Sequence, residues 1–157
     1  RATGASTGAW AGTAAGNETK VGVMVGQRQG AGDGQNTKAR GDAAEALALA
    51  YLQGQGLTLL ARNYRVALGP SRRAGEVDLI MRERDGTLVF IEVRARADAR
   101  RGGAAASVTT AKQRHVLRAA THYLQRLNVL PPCRFDVVAL DGGQLEWLRG
   151  AFDASAG

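Results

Sequence analysis

One cysteine in 157 residues, Cys133, rules out an internal disulfide framework and any cysteine-based zinc site. Two histidines, His115 and His122, are too few for a His-rich metal cluster. No run approaches the roughly 18 consecutive apolar residues of a membrane span, so no membrane partner is expected. The N-terminus lacks a basic segment followed by an apolar one, which argues against a secretory signal and for a cytoplasmic protein. Aromatic residues make up 5% of a chain that is 45% hydrophobic, leaving Leu, Val and Ala to fill the core. Cys133, just ahead of an apolar run, reads as part of that core.

Acids are also missing, over one long stretch. Between Asp98 and Asp136 there is none, while Arg100, Arg101, Lys112, Arg114, Arg118, Arg126 and Arg134 all fall there. The net charge is +7 and the isoelectric point about 10.5. Solvated helix faces usually mix signs, so a one-sign segment of this length favours phosphate binding over mere solubility. A nucleic acid is the expected partner.

Residues 1–38, rich in Gly, Ala and Thr, show no sustained period and read as a disordered tail. Within them VGVMV, from Val21, has strand character, but its flanking glycines argue against order. A single domain is expected over 39–150, with 151–157 a flexible C-terminus. Asp42 with Glu45 three residues on suggests a capping box opening a helix at Gly41, which Gly54 and Gly56 end. Thr58–Val66 reads as a strand, followed by the basic loop GPSRRAG with Arg72 and Arg73. GEVDLIMRERDGTLVFIEVRAR (Gly75 to Arg96) reads as a hairpin. Thr110 with Gln113 repeats the capping-box pattern, and Val116, Ala120, Tyr123, Leu124 and Leu127 give that second helix an apolar face. RFDVVAL is a buried strand, and QLEWL an optional strand at the sheet edge. The order is α-β-β-β-α-β.

The hairpin carries Glu76 and Asp78 on its first strand, Glu92 and Arg94 on its second. Alternation puts Glu76, Asp78 and Ile80 on one face, and Val77, Leu79 and Met81 on the other. A two-residue Asp85-Gly86 loop pairs Asp78 with Val93 and sends Glu92 to the far side. A three-residue loop, with Gly86 left-handed in a G1 bulge, sets Asp78 opposite Glu92 and Glu76 opposite Arg94. Both loops suit the sequence. In the second, two carboxylates about 5 Å apart repel by roughly 3 kcal/mol at an effective dielectric near 20. A divalent cation between them turns that repulsion into coordination, and Mg²⁺ needs only one or two carboxylates beside water and phosphate oxygens. The plainer alternative is an exposed face with solvated charges and a Glu76–Arg94 pair. Glu45 is either a third acid of the site or the capping-box glutamate.

Taken together, GDAAEALALAYL, LLARNYR, GEVDLIMR, LVFIEVRAR, GGAAASVTTAKQRHVLRAA and CRFDVVAL resemble the PD-(D/E)xK nuclease superfamily. They are similar in particular to its YraN-like family of small, Holliday-junction-resolvase-like bacterial proteins, over roughly residues 40–148. The resemblance implies an α/β, restriction-endonuclease-like core, with a mixed central sheet flanked by helices. It implies a Mg²⁺- or Mn²⁺-dependent DNA endonuclease (a hydrolase of phosphodiester bonds) acting on branched junctions, as a homodimer. Carried onto matching positions, it makes Asp78 and Glu92 direct metal ligands, Glu45 an outer ligand through water, and Glu76 a supporting residue oriented by Arg94. Arg94 completes the catalytic set where the superfamily usually has Lys, and arginine cannot act as a base. Lys112 is either its substitute or one of the phosphate-binding residues, with Arg72, Arg73, Arg96, Arg100, Arg101, Arg114 and Arg118. A non-catalytic DNA- or RNA-binding module on the same fold, and a subunit binding an acidic protein, remain the rival readings.

Overall fold

Punctuation by Gly, Pro and Thr sets where the elements start and stop. The computed structural model describes residues 18–22, 33–67, 69, 73–96 and 108–154, the side chains of 18–22, 33–35, 73 and 96 excepted. Along the chain come strand β1 (Glu18–Gly22), helix α1 (Asp33–Gly54), strands β2 (Thr58–Ala67), β3 (Arg73–Arg82) and β4 (Leu88–Arg96), helix α2 (Thr110–Leu124), and strands β5 (Cys133–Asp141) and β6 (Gln144–Leu148). The α-β-β-β-α-β core is the expected one, with a strand added at each end. The strands form one mixed sheet in the order β1-β6-β5-β4-β3-β2. The β4–β5 pair is parallel because α2 carries the chain back to the starting end of the sheet, while its neighbours are antiparallel. No helix among the described residues is long and apolar enough to cross a membrane.

Several boundaries differ from the sequence reading. The expected tail over 1–38 is structured in part: residues 18–22 pair with β6, so β6 is not the sheet edge. Helix α1 starts at Asp33, which puts Asp42 and Glu45 inside it and removes the capping box. Its C-terminus follows the glycine signal. Gly56, at φ 94°, and Leu57 donate to Gln53 O and Leu52 O, the two bonds of a Schellman motif. Arg73 begins β3 opposite Ala67 instead of lying in the loop. At α2 the N-cap is Thr109, whose hydroxyl accepts from Lys112 N–H, and Gln113 donates its amide to Val108 O. That helix ends before Leu127, which is exposed, and buries Ala119 beside Val116 and Ala120. Cys133 is exposed, its thiol donating to Pro131 O.

The sheet is covered on both faces. Ala48 and Leu52 of α1 pack on Leu79, Met81, Val89, Ile91 and Trp147. Val116, Ala119 and Ala120 of α2 pack on Val77, Ile80, Phe90, Phe135 and Val137. Full burial of each Leu, Ile or Phe side chain contributes about 2 kcal/mol. Helix α2 lies so close to β3 that a Cβ on Gly75 would stand 2.7 Å from both His115 O and Ala119 N. Only glycine permits that approach, and it fixes the height of α2 above the sheet.

Candidate functional site

The turn after β3 decides which side chains meet. Glu83 N–H donates to Thr87 O, Gly86 N–H donates to Glu83 O, and Gly86 takes φ 93°. This is the three-residue loop, and the ladder then runs Arg82↔Leu88, Met81↔Val89, Ile80↔Phe90 and Leu79↔Ile91. Its continuation brings Asp78 to Glu92. The recorded pairing stops at Leu79, and Val93 N–H donates instead to Asp78 Oδ2 at 2.8 Å. A carboxylate has taken over a backbone hydrogen bond.

Alternation fails at the same place. Val77 and Ile80 lie in the same cluster beneath α2, while Leu79 and Met81 face α1. The expected shared face of Val77, Leu79 and Met81 is therefore not formed. Across on β2, pairing passes from Arg62↔Leu79 to Tyr64↔Val77 and skips Asn63 and Asp78. Asn63 has φ 48°, and it is the one non-glycine residue with positive φ among the described residues.

Glu92 is 1% exposed and Asp78 8%. Both Lys112 Nζ, at 3.2 Å, and Arg94 Nη1, at 3.6 Å, reach Glu92 Oε1. Glu92 Oε2 is buried with no hydrogen-bond partner. Burial first and the neighbouring Asp78 second push the Glu92 carboxyl up to about 8, against the pull of Lys112 and Arg94. Burial likewise raises Asp78, while Val93 N–H and the charge of Lys112 hold it back. Two buried acids forced toward their neutral forms beside two cations are not a face of solvated charges.

Glu45 comes to this pair from α1. Its Oε2 accepts from Asn63 Nδ2 at 3.1 Å and lies 3.9 Å from Arg62 Nη2. Burial raises its carboxyl, Asn63 lowers it, and repulsion from Asp78 raises it further, so the two acids sense each other. Glu76 is held across the sheet by Arg65, Nε to Oε1 at 2.9 Å. It also lies near enough to Asp78 to raise that group. Arg94 also has its Nη1 within 3.6 Å of Glu92 Oε1.

The remaining cations divide. Arg114 and Arg118 are exposed one turn apart on α2. Arg134, part of the acid-free segment, is used internally: it grips Asp136 at 2.8 Å and Glu83 at 2.7 Å. Asp136, fully buried, also accepts from Trp147 Nε1 and Gly150 N–H. Arg73 and Arg96 sit at the ends of β3 and β4, their side chains outside the described residues, as are Arg72, Arg100 and Arg101. His122 is exposed and shares a 2.7 Å hydrogen bond with Tyr64. The sequence reading missed Arg62, Asn63 and Arg65. All three lie in the LLARNYR segment, but their roles follow from where β2 sits, with Arg65 opposite Glu76 and Asn63 beside the break at Asp78, and the sequence does not declare that pairing.

Among the described residues no three His, Cys, Asp or Glu side chains form a ready metal-binding cluster. The donors that do meet are hard carboxylate oxygens, one of them unpartnered and buried. That chemistry fits a cation such as Mg²⁺, which keeps waters and takes phosphate oxygens for its other positions.

The model of the Uncharacterised protein family UPF0102 matches residues 44–140, from α1 to β5. A UPF0102 protein of Methylibium petroleiphilum is 61% identical over 119 residues, covering 76% of this chain and 98% of its own. One from Acidovorax sp. (strain JS42) is 51% identical over 135 residues, covering 86% and 100%. One from Cupriavidus metallidurans is 60% identical over 121 residues, covering 77% and 86%.

Proposed function

The chain belongs to the UPF0102 family, and for it we propose metal-dependent hydrolysis of phosphodiester bonds in DNA, with branched junctions as the preferred substrate. The observation that carries this reading is the Asp78–Glu92 pair. It is buried, lacks a partner at Glu92 Oε2, and is faced by Lys112 and Arg94. A stable fold gains nothing from such a pair, since well-packed apolar residues there are commonly as stable or more so.

Asp78 and Glu92 would hold Mg²⁺ or Mn²⁺, with Glu45 contributing through water. A divalent cation supplies charge to the scissile phosphate and acidifies a bound water. The chain's own groups do the rest. Lys112, fixed by the first turn of α2 with its Nζ 3.2 Å from Glu92 Oε1, stands in for the lysine that Arg94 replaces. Arg94 keeps its charge and stabilises negative charge building on the phosphate. Arg114 and Arg118, exposed one turn apart on α2, hold the nucleic-acid backbone alongside.

The test is DNA cleavage in Mg²⁺ by Asp78→Ala beside the wild type. Loss of cleavage is expected, and unchanged cleavage removes Asp78 from the site. A second reading, a binding module without catalysis, is favoured by one feature, Arg94 in place of a base. Metal-dependent cleavage lost in Lys112→Met but kept in part by Arg94→Met would exclude it.

A further inference from the structure

The break in the sheet beside Asp78 has at its centre a residue of the LLARNYR segment to which no role has been given. Asn63 pairs with nothing in the ladder, sits at φ 48°, and spends its side-chain amide on Glu45. We propose that Asn63 is a positioning residue: its left-handed backbone opens the sheet beside Asp78, and its amide holds Glu45 toward the carboxylate pair. This rests on the reading of Asp78 and Glu92 as a metal site.

The residue type argues for both roles at once. Positive φ is costly for side chains other than Gly, Asn and Asp. Glycine accepts that backbone but has no amide to donate. Aspartate accepts it but presents an acceptor to Glu45, which needs a donor. Glutamine keeps the amide yet resists the backbone. Asparagine alone meets both demands, at the position directly across from the acid the site depends on.

The backbone consequence is visible in packing. Without an interruption opposite residue 63, strict alternation would turn either Val77 or Ile80 away from the cluster beneath α2. With it, both stay there, and Asp78 is left free of its β2 partner to take Val93 N–H. Strain of this kind persists where the surrounding structure over-determines it, and it concentrates at functional sites. The side-chain consequence is that Glu45, midway along α1, has a fixed donor on β2 as well as Arg62 nearby. Glu45 feels the Asp78 charge, so a shift of its carboxylate alters the field at the pair.

The experiment is calorimetric titration of the full chain with Mn²⁺, for wild type, Asn63→Gly, Glu45→Ala, the Asn63→Gly/Glu45→Ala double variant and Asp78→Asn, each with its melting temperature. Asn63→Gly keeps the backbone conformation and should melt close to wild type while binding Mn²⁺ about tenfold more weakly, the size usual for outer-shell partners. Because Asn63 acts through Glu45, the double variant should bind no more weakly than Glu45→Ala alone. Wild-type affinity in Asn63→Gly overturns the proposal, whether or not its melting temperature falls. Additive losses in the double variant overturn it too. If Asp78→Asn binds as wild type does, or wild type does not bind Mn²⁺, the metal-site reading fails and takes this proposal with it. If Asp78→Asn loses binding while Asn63→Gly does not, only the role of Asn63 is lost.

Discussion

Replacing Glu92 with Gln should make the metal-free protein more stable at neutral pH. The carboxyl ordinarily titrates near 4.5, and in the fold it is pushed to about 8 by burial and by Asp78. Below pH 4.5 both folded and unfolded chains carry the proton, and the group contributes nothing. From 4.5 to about 8 the unfolded chain has released it and the folded chain has not, so folding takes up a proton. Stability then falls as pH rises, by up to about 1.4 kcal/mol per unit. At pH 7 the accumulated cost is about 3 kcal/mol, already net of the attraction of Lys112 and Arg94. Glu92→Gln keeps the shape and removes the charge, so urea unfolding in EDTA should show the variant more stable by about that amount at pH 7. The two should converge near pH 4.5. For a chain of this length that is roughly 6–12 °C in Tm. Added Mn²⁺ should narrow the gap by stabilising wild type alone. A variant that is less stable than wild type at pH 7, or a gap independent of pH, would refute the assignment of Glu92 as a buried acid held against its charge.

Gly75→Ala should destabilise the fold by about 1–3 kcal/mol in thermal melts, since the new methyl meets backbone at His115 and Ala119 and lifts α2 with Lys112. A neutral result would mean that α2 is not seated where Gly75 requires. Arg134→Met should cost about 3–5 kcal/mol in urea unfolding by stranding buried Asp136, with DNA affinity unchanged. Weaker DNA binding by a folded Arg134→Met protein would return that residue to the nucleic-acid surface. The Arg114→Ala/Arg118→Ala pair should lower DNA affinity and reduce the salt dependence of binding by about one unit of slope per arginine, measured by fluorescence anisotropy. An unchanged slope would place the nucleic acid elsewhere.

Much of the core order was legible because its signals are local. Gly54 and Gly56 stop α1, Pro131 and Pro132 separate α2 from β5, and the apolar run Val137–Leu140 needs burial wherever it lies. Register was not legible, because Arg84-Asp85-Gly86 suits either loop length. Strand β1 escaped because ETKVG has little apolar pattern and owes its place to the edge offered by β6. The Thr109 cap was misplaced by one residue because Thr109 and Thr110 are equally able to cap. At the site, Asp78, Glu92 and Glu45 were recognisable as a set. Their partners were not: nothing in the sequence marks Arg65 as the residue that pairs with Glu76 across the sheet, and Asn63 owes its role to a conformation that sequence leaves open.

The acids and bases of the site are matched within the chain, Glu45 with Arg62, Glu76 with Arg65, and Glu92 with Lys112 and Arg94. Such pairing lets the fold tolerate clustered carboxylates at the end of a buried hairpin.

The central claim is tested most directly by incubating the protein with four-way-junction, single-stranded and linear duplex DNA in Mg²⁺, Mn²⁺ or EDTA, beside the Asp78→Ala/Glu92→Ala variant. Metal-dependent cuts by wild type alone, fastest on the junction, are the predicted result. Binding without cleavage by both proteins would contradict it and leave the fold as a DNA-binding platform.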